Sequence, residues 1–464
     1  MKNMLKTSVL VLCTLTVYLQ AQVSESPVVL HSPHIIAPFD NVSGNAIVVR
    51  PTSSLDASTP QDDLAASPVA FSVSNLGTGI NYHDGPVMEG NNQNVYFIWY
   101  GNWSGDTATT ILPEFISGLR GSPYFNTNAS YFDNALHIRN TPLMAGQIFD
   151  SYSQGTSLTD AQVASVVNRA VANRLLPFDG NGIYLVLTSP DVTSTLNGGG
   201  TFCVNFCGWH TDGSFEGNLL RYGFIGNPAT QCPAGRPTTC SAQTLTPNNN
   251  QGADAMANVI AHEVNESVTD PQLNGWFQNN TAGEVGDLCN FNFGSTFTAP
   301  NGSSANLALG GRDFLVQQNW LNSGSGGCAQ QYQPITGLCY QAHVENIGWQ
   351  AQVCDGDVAG TVHQSLRMEA IKITAPAGFS VCYQAHVQNI GWQAVVCDGA
   401  IAGTVGQSLR MEALRVFLRS GSGHVEYFGQ VQDLFWTGPA RDGAQIGTTG
   451  QSRRLEAVII RLLP

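Results

Sequence analysis

Three ionisable side chains, His262, Glu263 and Glu266, lie within five residues of one another in a predicted helix. His262 and Glu266 are at positions i and i+4, so in a helix both point from one face, about a turn apart. An imidazole and a carboxylate placed in this way can bind one divalent metal ion. Glu263 points roughly 100° away around the helix, where a base can take a proton from metal-bound water. The spacing predicts a metal site with His262 and Glu266 as ligands.

A second acidic segment follows this helix after a turn rich in Asn and Gly. The string HEVNESVTDPQLNGWFQNNTAGEVGD resembles the active-site helix and third-ligand segment of the thermolysin-like gluzincins. The resemblance implies that Glu263 is the catalytic base, that Glu284 is the third ligand, that Asp287 orients His262, and that the metal is Zn²⁺. Glu266 stands where the family has a second His. One imidazole with two carboxylates is a harder donor set, so another divalent ion such as Mn²⁺ or Fe²⁺ can compete for the site.

Alternatives to this interpretation exist. An i,i+4 His/Glu pair is often only a weak surface contact. The helix over 253–269 is, however, apolar nearly all round, which is typical of a buried helix, and a buried carboxylate needs a partner. The chain has only three lysines, two of them within its first six residues, so a metal is the more natural partner. His210 and Tyr222 are candidate transition-state donors, although a His beside Cys207 and Trp209 is more often structural.

Hydrophobic periodicity predicts the elements that position these residues. The segments 94–101 and 182–190 are typical of buried strands, and 219–227 indicates a further strand. Helical patterns cover 107–121 and 157–176. Strands interspersed with helices predict an α+β domain over 76–333, which the gluzincin resemblance makes a zincin-like mixed sheet with an active-site helix. An all-β repeat module follows it.

Composition and the N-terminal residues bear on compartment and partners. A basic start, a short apolar run and Gln-Ala-Gln predict a secretory signal peptide over 1–21, and the run is shorter than a membrane span. Residues 22–75 are polar and aperiodic, as in a linker or propeptide. The formal net charge is −14 among 464 residues. This charge disfavours nucleic acid and anionic membranes as partners.

The C-terminal third is repetitive. The 35-residue segments that begin at Cys339 and Cys382 are identical at 27 positions, at a period of 43. A diverged third copy follows, which predicts three units over about 339–373, 382–416 and 426–461 within residues 334–464. Stacked or β-prism-like packing of these units is expected.

Each repeat carries one Trp, at positions 349, 392 and 436. The motif YQAHVQNIGWQ resembles the clostridial hydrophobic-tryptophan repeats, and this resemblance implies contact with a cell-surface protein or a wall polysaccharide. Trp349, Trp392 and Trp436 are therefore surface-contact candidates. The alternative is that each Trp is a core residue.

Ten cysteines follow the predicted signal peptide, an even number that indicates disulfides in an oxidising compartment. Cys339 and Cys354 are 15 residues apart, as are Cys382 and Cys397. The third repeat lacks both cysteines together, as partners in one bridge would. We therefore predict the pairs Cys339–Cys354 and Cys382–Cys397. The others, whose pairing the sequence leaves open, are Cys203, Cys207, Cys232, Cys240, Cys289 and Cys328.

Motifs over most of residues 80–330 resemble the phosphate-induced, Exordium-like family of secreted proteins. They are GPVMEGNNQNVYFIWYGNW (85–103), FCVNFCGWH (202–210), TQCP (230–233) and SVTDPQLNGWF (267–277). Two hypotheses follow. The first is a secreted metal-dependent hydrolase, a zinc metallopeptidase targeted to a cell surface or wall by its repeats. The second is a non-catalytic extracellular wall or adhesion protein on a degenerate zincin-like fold.

Overall fold

The computed structural model of the chain describes residues 34–36 and 79–464, except positions 91, 134–135, 233–239, 280, 282 and 324–325. The predicted signal peptide, and residues 22–75 apart from 34–36, lie outside the described residues. The described chain is a mixed α+β domain followed by a β-rich repeat region, as the sequence predicts. None of its described helices combines the length and apolarity needed to cross a bilayer.

The first domain is built on a six-stranded mixed sheet with the order β1-β5-β6-β4-β2-β3. Its strands are β1 (His34–Ile36), β2 (Gln93–Tyr100), β3 (Pro142–Asp150), β4 (Gly182–Thr188), β5 (Gly208–Phe215) and β6 (Asn218–Ile225). Strands β3, β2, β4 and β6 are parallel, whereas β5 pairs antiparallel with β6 and with β1. Strand β4 is buried at every residue, as its continuous apolar sequence predicts.

Four helices accompany the sheet: α1 (Ala108–Leu119), α2 (Asp160–Ala172), α3 (Pro228–Gln231) and α4 (Gln251–Thr269). Helix α1 packs on β3, and α2 packs on β4 and β6. Helix α4 lies against α1 and against β5 and β6. Because α4 contacts elements on several sides, its apolar circumference is buried and its ionisable residues lie inside the domain.

Short elements complete the domain. Two 3₁₀ turns cover Phe125–Ser130 and Asp287–Cys289. The short strands are Asn81–Tyr82, Phe132–Asp133, Leu136–His137, Ser157–Thr159, Thr193–Thr195, Trp276–Phe277, Phe297–Thr298, Ser304–Ala305, Leu307–Leu309, Arg312–Phe314, Asn319–Leu321 and Gly327–Ala329.

The repeats form three antiparallel sheets. The long strands are β7 (Cys339–Val344), β8 (Met368–Thr374), β9 (Ser380–Val387), β10 (Met411–Ser420), β11 (His424–Val431), β12 (Phe435–Arg441) and β13 (Leu455–Leu463). Two-residue strands lie at Gly348–Trp349, Val353–Cys354, Ala359–Gly360, Gly391–Trp392, Val396–Cys397, Ala402–Gly403 and Ile446–Gly447.

The three sheets exchange short strands in a ring. Ala359–Gly360 of repeat 1 pairs with β13 of repeat 3, Ala402–Gly403 of repeat 2 pairs with β8 of repeat 1, and Ile446–Gly447 of repeat 3 pairs with β10 of repeat 2. Each repeat thus completes the sheet of another. A shared apolar core lies between the sheets and includes Tyr340 and Tyr383. Because each sheet is completed by another repeat, we expect the module to unfold as one cooperative unit.

Five disulfides cross-link the described chain: Cys203–Cys232, Cys207–Cys240, Cys289–Cys328, Cys339–Cys354 and Cys382–Cys397. In repeats 1 and 2 the two cysteines are directly opposed on paired strands. In repeat 3 the same cross-strand position is taken by Glu426 and Arg441. An ion pair thus occupies in repeat 3 the place that a covalent bond has in the other two.

Repeat 3 is joined to the first domain through apolar contacts. Four of its side chains belong to the same apolar core as the first domain: Phe428, Trp436, Ala457 and Ile459. The ring of Phe428 meets the ring of Phe132 edge to face, with their centroids 5.5 Å apart. The side chain at position 428 corresponds to Gln341 and Gln384 in the other repeats. This replacement by Phe gives repeat 3 an apolar side chain at this position, and that side chain packs on the first domain.

A buried ion-pair group lies at the same junction. Both Arg441 and Arg461 donate to the Glu426 carboxylate, at distances down to 2.6 Å, and Glu426 is fully buried. Arg461 also donates to the carbonyl of Ala129 and to Nδ1 of His137 in the first domain. The group therefore joins the two parts of the chain through one carboxylate.

We expect acid to weaken this junction. Burial and the nearby Arg461 hold the pKa of His137 well below 6.5, so the side chain is neutral in the folded protein. Unfolding frees His137 to bind a proton, so stability is lost as pH falls below about 6.5. Burial opposes ionisation of Glu426, but Arg461 and Arg441 outweigh it and lower its pKa. The stability that ionised Glu426 contributes is therefore lost at still lower pH, as the pH falls below its unfolded pKa near 4.5.

The measurement is urea unfolding of the wild type and of His137→Asn at pH 7.5 and at pH 5.5. Other histidines titrate in this range, so the difference between the two proteins isolates His137. Acidification should cost the wild type about 1 kcal/mol more than the variant. An equal loss in both proteins would show that His137 does not carry the dependence.

Candidate functional site

Helix α4 carries most of the candidate site. Its N-cap is Asn250, whose side chain accepts a hydrogen bond from the Ala253 amide, and it ends at Thr269 before Asp270-Pro271. Every residue from Gly252 to Thr269 is buried. The helix predicted over 253–269 is thus confirmed. The ionisable side chains at positions 262, 263 and 266 therefore need partners inside the protein.

Strand β5 brings a further imidazole, His210, to this helix. The strand approaches α4 closely at Gly208, where an added Cβ would lie 2.4 Å from the Val259 side chain and 3.1 Å from Oε1 of Glu263. A residue with a side chain at position 208 would hold the strand away from the helix. Gly208 thus allows His210, two residues later on the same strand face, to reach the glutamates of α4.

His210 contacts three glutamates. Its Nδ1 atom lies 3.1 Å from Oε2 of Glu263 and 3.4 Å from Oε2 of Glu266, and its Nε2 atom lies 3.7 Å from Oε2 of Glu284. His210, Glu266 and Glu284 are all buried, and one possible ligand atom from each lies within 4.8 Å of the others. One nitrogen and two carboxylates in this arrangement are a donor set for a divalent cation.

His262 belongs to a second group. Its Nε2 atom lies 2.9 Å from Oε1 of Glu266 and 3.5 Å from Oδ1 of Asp287, and these three residues also have ligand atoms within 4.8 Å of one another. Asp287 thus lies beside His262, as the gluzincin resemblance implies. The predicted set of His262, Glu266 and Glu284 is divided between the two groups. The reason is that the i,i+4 spacing directs His262 onto Glu266 itself, while Glu284 faces the strand.

The cluster carries more carboxylates than its imidazoles can neutralise. Burial alone would lower the pKa of His210, but Glu284, Glu263 and Glu266 raise it to about 10. Burial raises the pKa of Glu263 to about 7 and that of Glu284 well above 4.5. Burial acts likewise on Glu266, but His262 and His210 outweigh it and lower its pKa. The largest charged influences on these described glutamates come from His210, His262 and neighbouring carboxylates rather than from Lys or Arg.

The cluster is closed to solvent. Glu263 and Glu284 are 0% exposed, and Glu266, His210 and His262 are 2% exposed or less. A general base must come within hydrogen-bonding reach of its substrate or of an attacking water. Glu263 has no such access in this structure. The geometry therefore favours a structural role over the catalytic role predicted for Glu263.

The three repeat tryptophans differ in their surroundings. Lys372 Nζ lies 4.3 Å from the ring centroid of Trp349, and the Arg415 guanidinium carbon lies 4.2 Å from that of Trp392. Both rings remain half-buried. Trp436 is only 8% exposed and belongs to the core shared with the first domain. Trp436 is therefore a core residue and not the surface-contact residue that the sequence predicts, because the first domain covers this face of repeat 3.

Sequence reasoning did not select His210 as a ligand. The segment FCGWH offers one signal, since His210 and the polar residues after it lie in a strand that is buried through Gly213. A buried imidazole in a strand can be satisfied by many partners, however. Only the pairing of β5 against α4 shows that its partners are three glutamates.

Comparison with known proteins identifies two families along the chain. Residues 80–317 match the family described as "Phosphate-induced protein 1 conserved region". Residues 343–374, 386–419 and 424–464 match "Clostridial hydrophobic W" repeats. No solved structure matches the chain significantly. The Exordium-like and hydrophobic-tryptophan resemblances are thus confirmed, whereas the gluzincin motif and a zincin-like fold are not shown.

Curated relatives are similar to the first domain. "Protein EXORDIUM-like 5" of Arabidopsis thaliana is 32% identical over 52% of this chain and 75% of its own length. "Protein EXORDIUM-like 3" of the same plant is 32% identical over 52% and 80% of the two chains. "Protein PHOSPHATE-INDUCED 1" of Nicotiana tabacum is 29% identical over 43% and 67%.

None of these relatives is named as a peptidase. The prediction of a secreted zinc metallopeptidase is therefore wrong, because the domain that carries the His-Glu-x-x-Glu helix matches Exordium proteins rather than hydrolases. The closed glutamate cluster explains the error, since a helix with catalytic spacing has no access to a substrate here. The chain belongs to the phosphate-induced protein 1 family.

Proposed function

We propose that this protein is an extracellular, non-catalytic binding protein whose repeats 1 and 2 contact a protein on a cell surface. We call the relevant surface of each repeat its Trp face. The Trp faces are formed by Gln341, His343, Trp349 and Lys372 in repeat 1, by Gln384, His386, Trp392 and Arg415 in repeat 2, and by Phe428, Gln430, Trp436 and Ile459 in repeat 3. One observation carries the proposal: repeat 3 uses its Trp face to bind the first domain, while repeats 1 and 2 leave theirs accessible.

The chemistry of the accessible Trp faces fits a protein partner. Trp and Arg are enriched among the residues that dominate binding energy at protein interfaces. Ile347 and Ile390, each two residues before a repeat Trp, are 50% exposed and extend the apolar area. A wall polysaccharide is the other partner that the sequence predicts. A sugar stacks on an open indole face, and Lys372 and Arg415 cover one face of each ring.

An extracellular location is part of the proposal. It is supported by the predicted signal peptide and by five disulfides, which persist in oxidising compartments. A distant zincin-like origin of the first domain also stays a proposal, and it rests on the spacing of His262 and Glu266 on α4. Catalysis forms no part of the proposed function.

The experiment measures binding of the full chain to cells of the organism that makes it. The double variant Trp349→Ala/Trp392→Ala should bind at least about 30-fold more weakly than the wild type, because truncating a hot-spot residue costs about 2 kcal/mol or more. Phe149→Ala is the control, since Phe149 is 64% exposed on the first domain. It should bind like the wild type.

Two further measurements decide the outcome. Circular dichroism and a thermal melt establish that the double variant is folded. Prior protease treatment of the cells should abolish binding of the wild type. Binding that survives protease treatment but is competed by soluble wall polysaccharide would instead assign the Trp faces to a glycan. Unchanged binding by the folded double variant would overturn the proposal.

A further inference from the structure

We infer that the first domain holds one divalent metal ion through His210 of β5, Glu266 of α4 and Glu284, and that His262 is not a ligand. These three residues come from three separate segments of the chain and are all buried. A metal bound among them would tie the sheet, the helix and the segment after the helix together. The site is independent of the repeats and of the proposed binding function.

The histidine is oriented as metal-bound histidines usually are. Nδ1 of His210 lies 3.1 Å from Oε2 of Glu263, so the Nδ1–H group donates to that carboxylate. This bond leaves Nε2, which faces Oε2 of Glu284 at 3.7 Å, as the nitrogen that would give up its proton and bind a metal. A carboxylate that holds the far nitrogen of a ligating histidine is the usual arrangement around zinc. Glu263 is therefore a positioning residue.

Glu266 is oriented in a similar way. Its Oε1 atom lies 2.9 Å from Nε2 of His262 and accepts a hydrogen bond from the Asp287 amide at 3.1 Å. Its Oε2 atom is buried and accepts no well-aligned hydrogen bond, although His210 Nδ1 lies 3.4 Å away. A buried carboxylate oxygen in this state is costly unless a cation binds it. The Asp287 amide thus holds one oxygen, with His262 beside it, and the other oxygen is left for the metal.

The charges in the region favour a bound cation. Glu263, Glu266, Glu284, Asp270 and Asp287 are five carboxylates around two imidazoles, and residues 76–333 contain no lysine. A donor set of one imidazole and two carboxylates suits Zn²⁺ and Mn²⁺. The glycine at position 286 lets the chain pass this close, because an added Cβ would lie 2.8 Å from the His262 ring and 3.0 Å from Oε1 of Glu266.

The test uses the full chain, stripped with a chelator and titrated with Zn²⁺ and, in parallel, with Mn²⁺. We expect about one equivalent bound and a higher melting temperature in the presence of the metal. Glu284→Gln and Glu266→Gln keep the side-chain shape but lose the charge, and each should weaken affinity at least 100-fold, as should His210→Ala. His262→Ala and Glu263→Gln remove only positioning contacts and should weaken it about 10- to 100-fold. His424→Ala replaces an exposed histidine in repeat 3 and is the control for a non-specific loss of metal affinity.

Each outcome is decisive. Loss of metal in Glu284→Gln with the fold intact by circular dichroism supports the site even where His210→Ala fails to fold. If metal affinity fell further in His262→Ala than in folded His210→Ala, the ligands would be those that the sequence predicts, with His262 in place of His210. A wild type that binds neither metal, with an unchanged melting temperature, would overturn the site. It would show that protons alone neutralise the cluster, and the proposed function of the repeats would be unaffected.

Discussion

Replacing Glu426 by Ala is expected to destabilise the protein by about 3–5 kcal/mol. The side chain is fully buried, and its carboxylate is the shared acceptor of Arg441 and Arg461. Removing it leaves two cations near one another at the junction with no opposite charge. We expect the loss to appear as a lower midpoint of urea unfolding followed by tryptophan fluorescence.

An exposed ion pair at the same junction gives the matched control. Arg139 Nη2 lies 2.9 Å from Oδ1 of Asp357, but each side chain is about half exposed. Asp357→Ala should therefore cost less than about 1 kcal/mol. If Glu426→Ala were no more destabilising than Asp357→Ala, the buried group would not be what holds repeat 3 to the first domain.

The double replacement Cys382→Ala/Cys397→Ala is expected to cost about 3 kcal/mol. The bond joins residues 15 apart, and closing a loop of that length removes this much entropy from the unfolded chain. The same change at Cys339 and Cys354, whose separation is also 15, should cost a similar amount. Thermal unfolding of the oxidised wild type and of each double variant measures both.

A reducing agent supplies the control for this prediction. It should lower the stability of the wild type, whereas a variant already lacking a pair should lose less. The Glu426–Arg441 pair at the equivalent position of repeat 3 does not respond to reduction. A peptide map without reduction that linked Cys354 to Cys382 would contradict the pairing, as would a double variant as stable as the wild type.

The contrast between these positions explains part of the organisation of the module. The strands of each repeat need a cross-link at the point where Cys339 and Cys382 lie, and a disulfide supplies it where the surface is partly open. In repeat 3 the same point abuts the first domain. There Glu426 also accepts from Arg461, and Arg461 in turn reaches His137 and the Ala129 carbonyl of the first domain. A disulfide has no donors with which to do so.

Much of the local structure could be predicted from the sequence. Helix α4 follows from apolar residues on nearly every side of the helix and from the Asp270-Pro271 stop, both of which are local signals. The buried strands β2 and β4 follow from their β-branched and aromatic runs, and the repeat from its period of 43. Such features depend on the spacing of neighbouring residues, so periodicity reveals them.

The partners of the buried charges depend on tertiary structure instead. Spacing on α4 alone places His262 and Glu266 together and identifies them as ligands, and the resemblance to gluzincins then makes Glu263 a catalytic base. Only the pairing of β5 against α4, at Gly208, brings His210 to the same glutamates and closes the cluster to solvent. The accessibility of a group, which separates a catalytic residue from a structural one, is set by elements distant in sequence.

The tryptophans lead to the same conclusion. The sequence by itself determines that three related units each carry one Trp, because the period and the motif are local. Whether a given Trp is open to a partner depends on what packs on its repeat. Trp436 is buried because Phe428 and Ile459 replace the polar residues of the other repeats and pack on the first domain. That contact joins residues some 300 positions apart in the chain, such as Phe132 and Phe428. Long-range burial of this kind is decided by the tertiary structure alone, because no local pattern specifies which apolar surface will meet which.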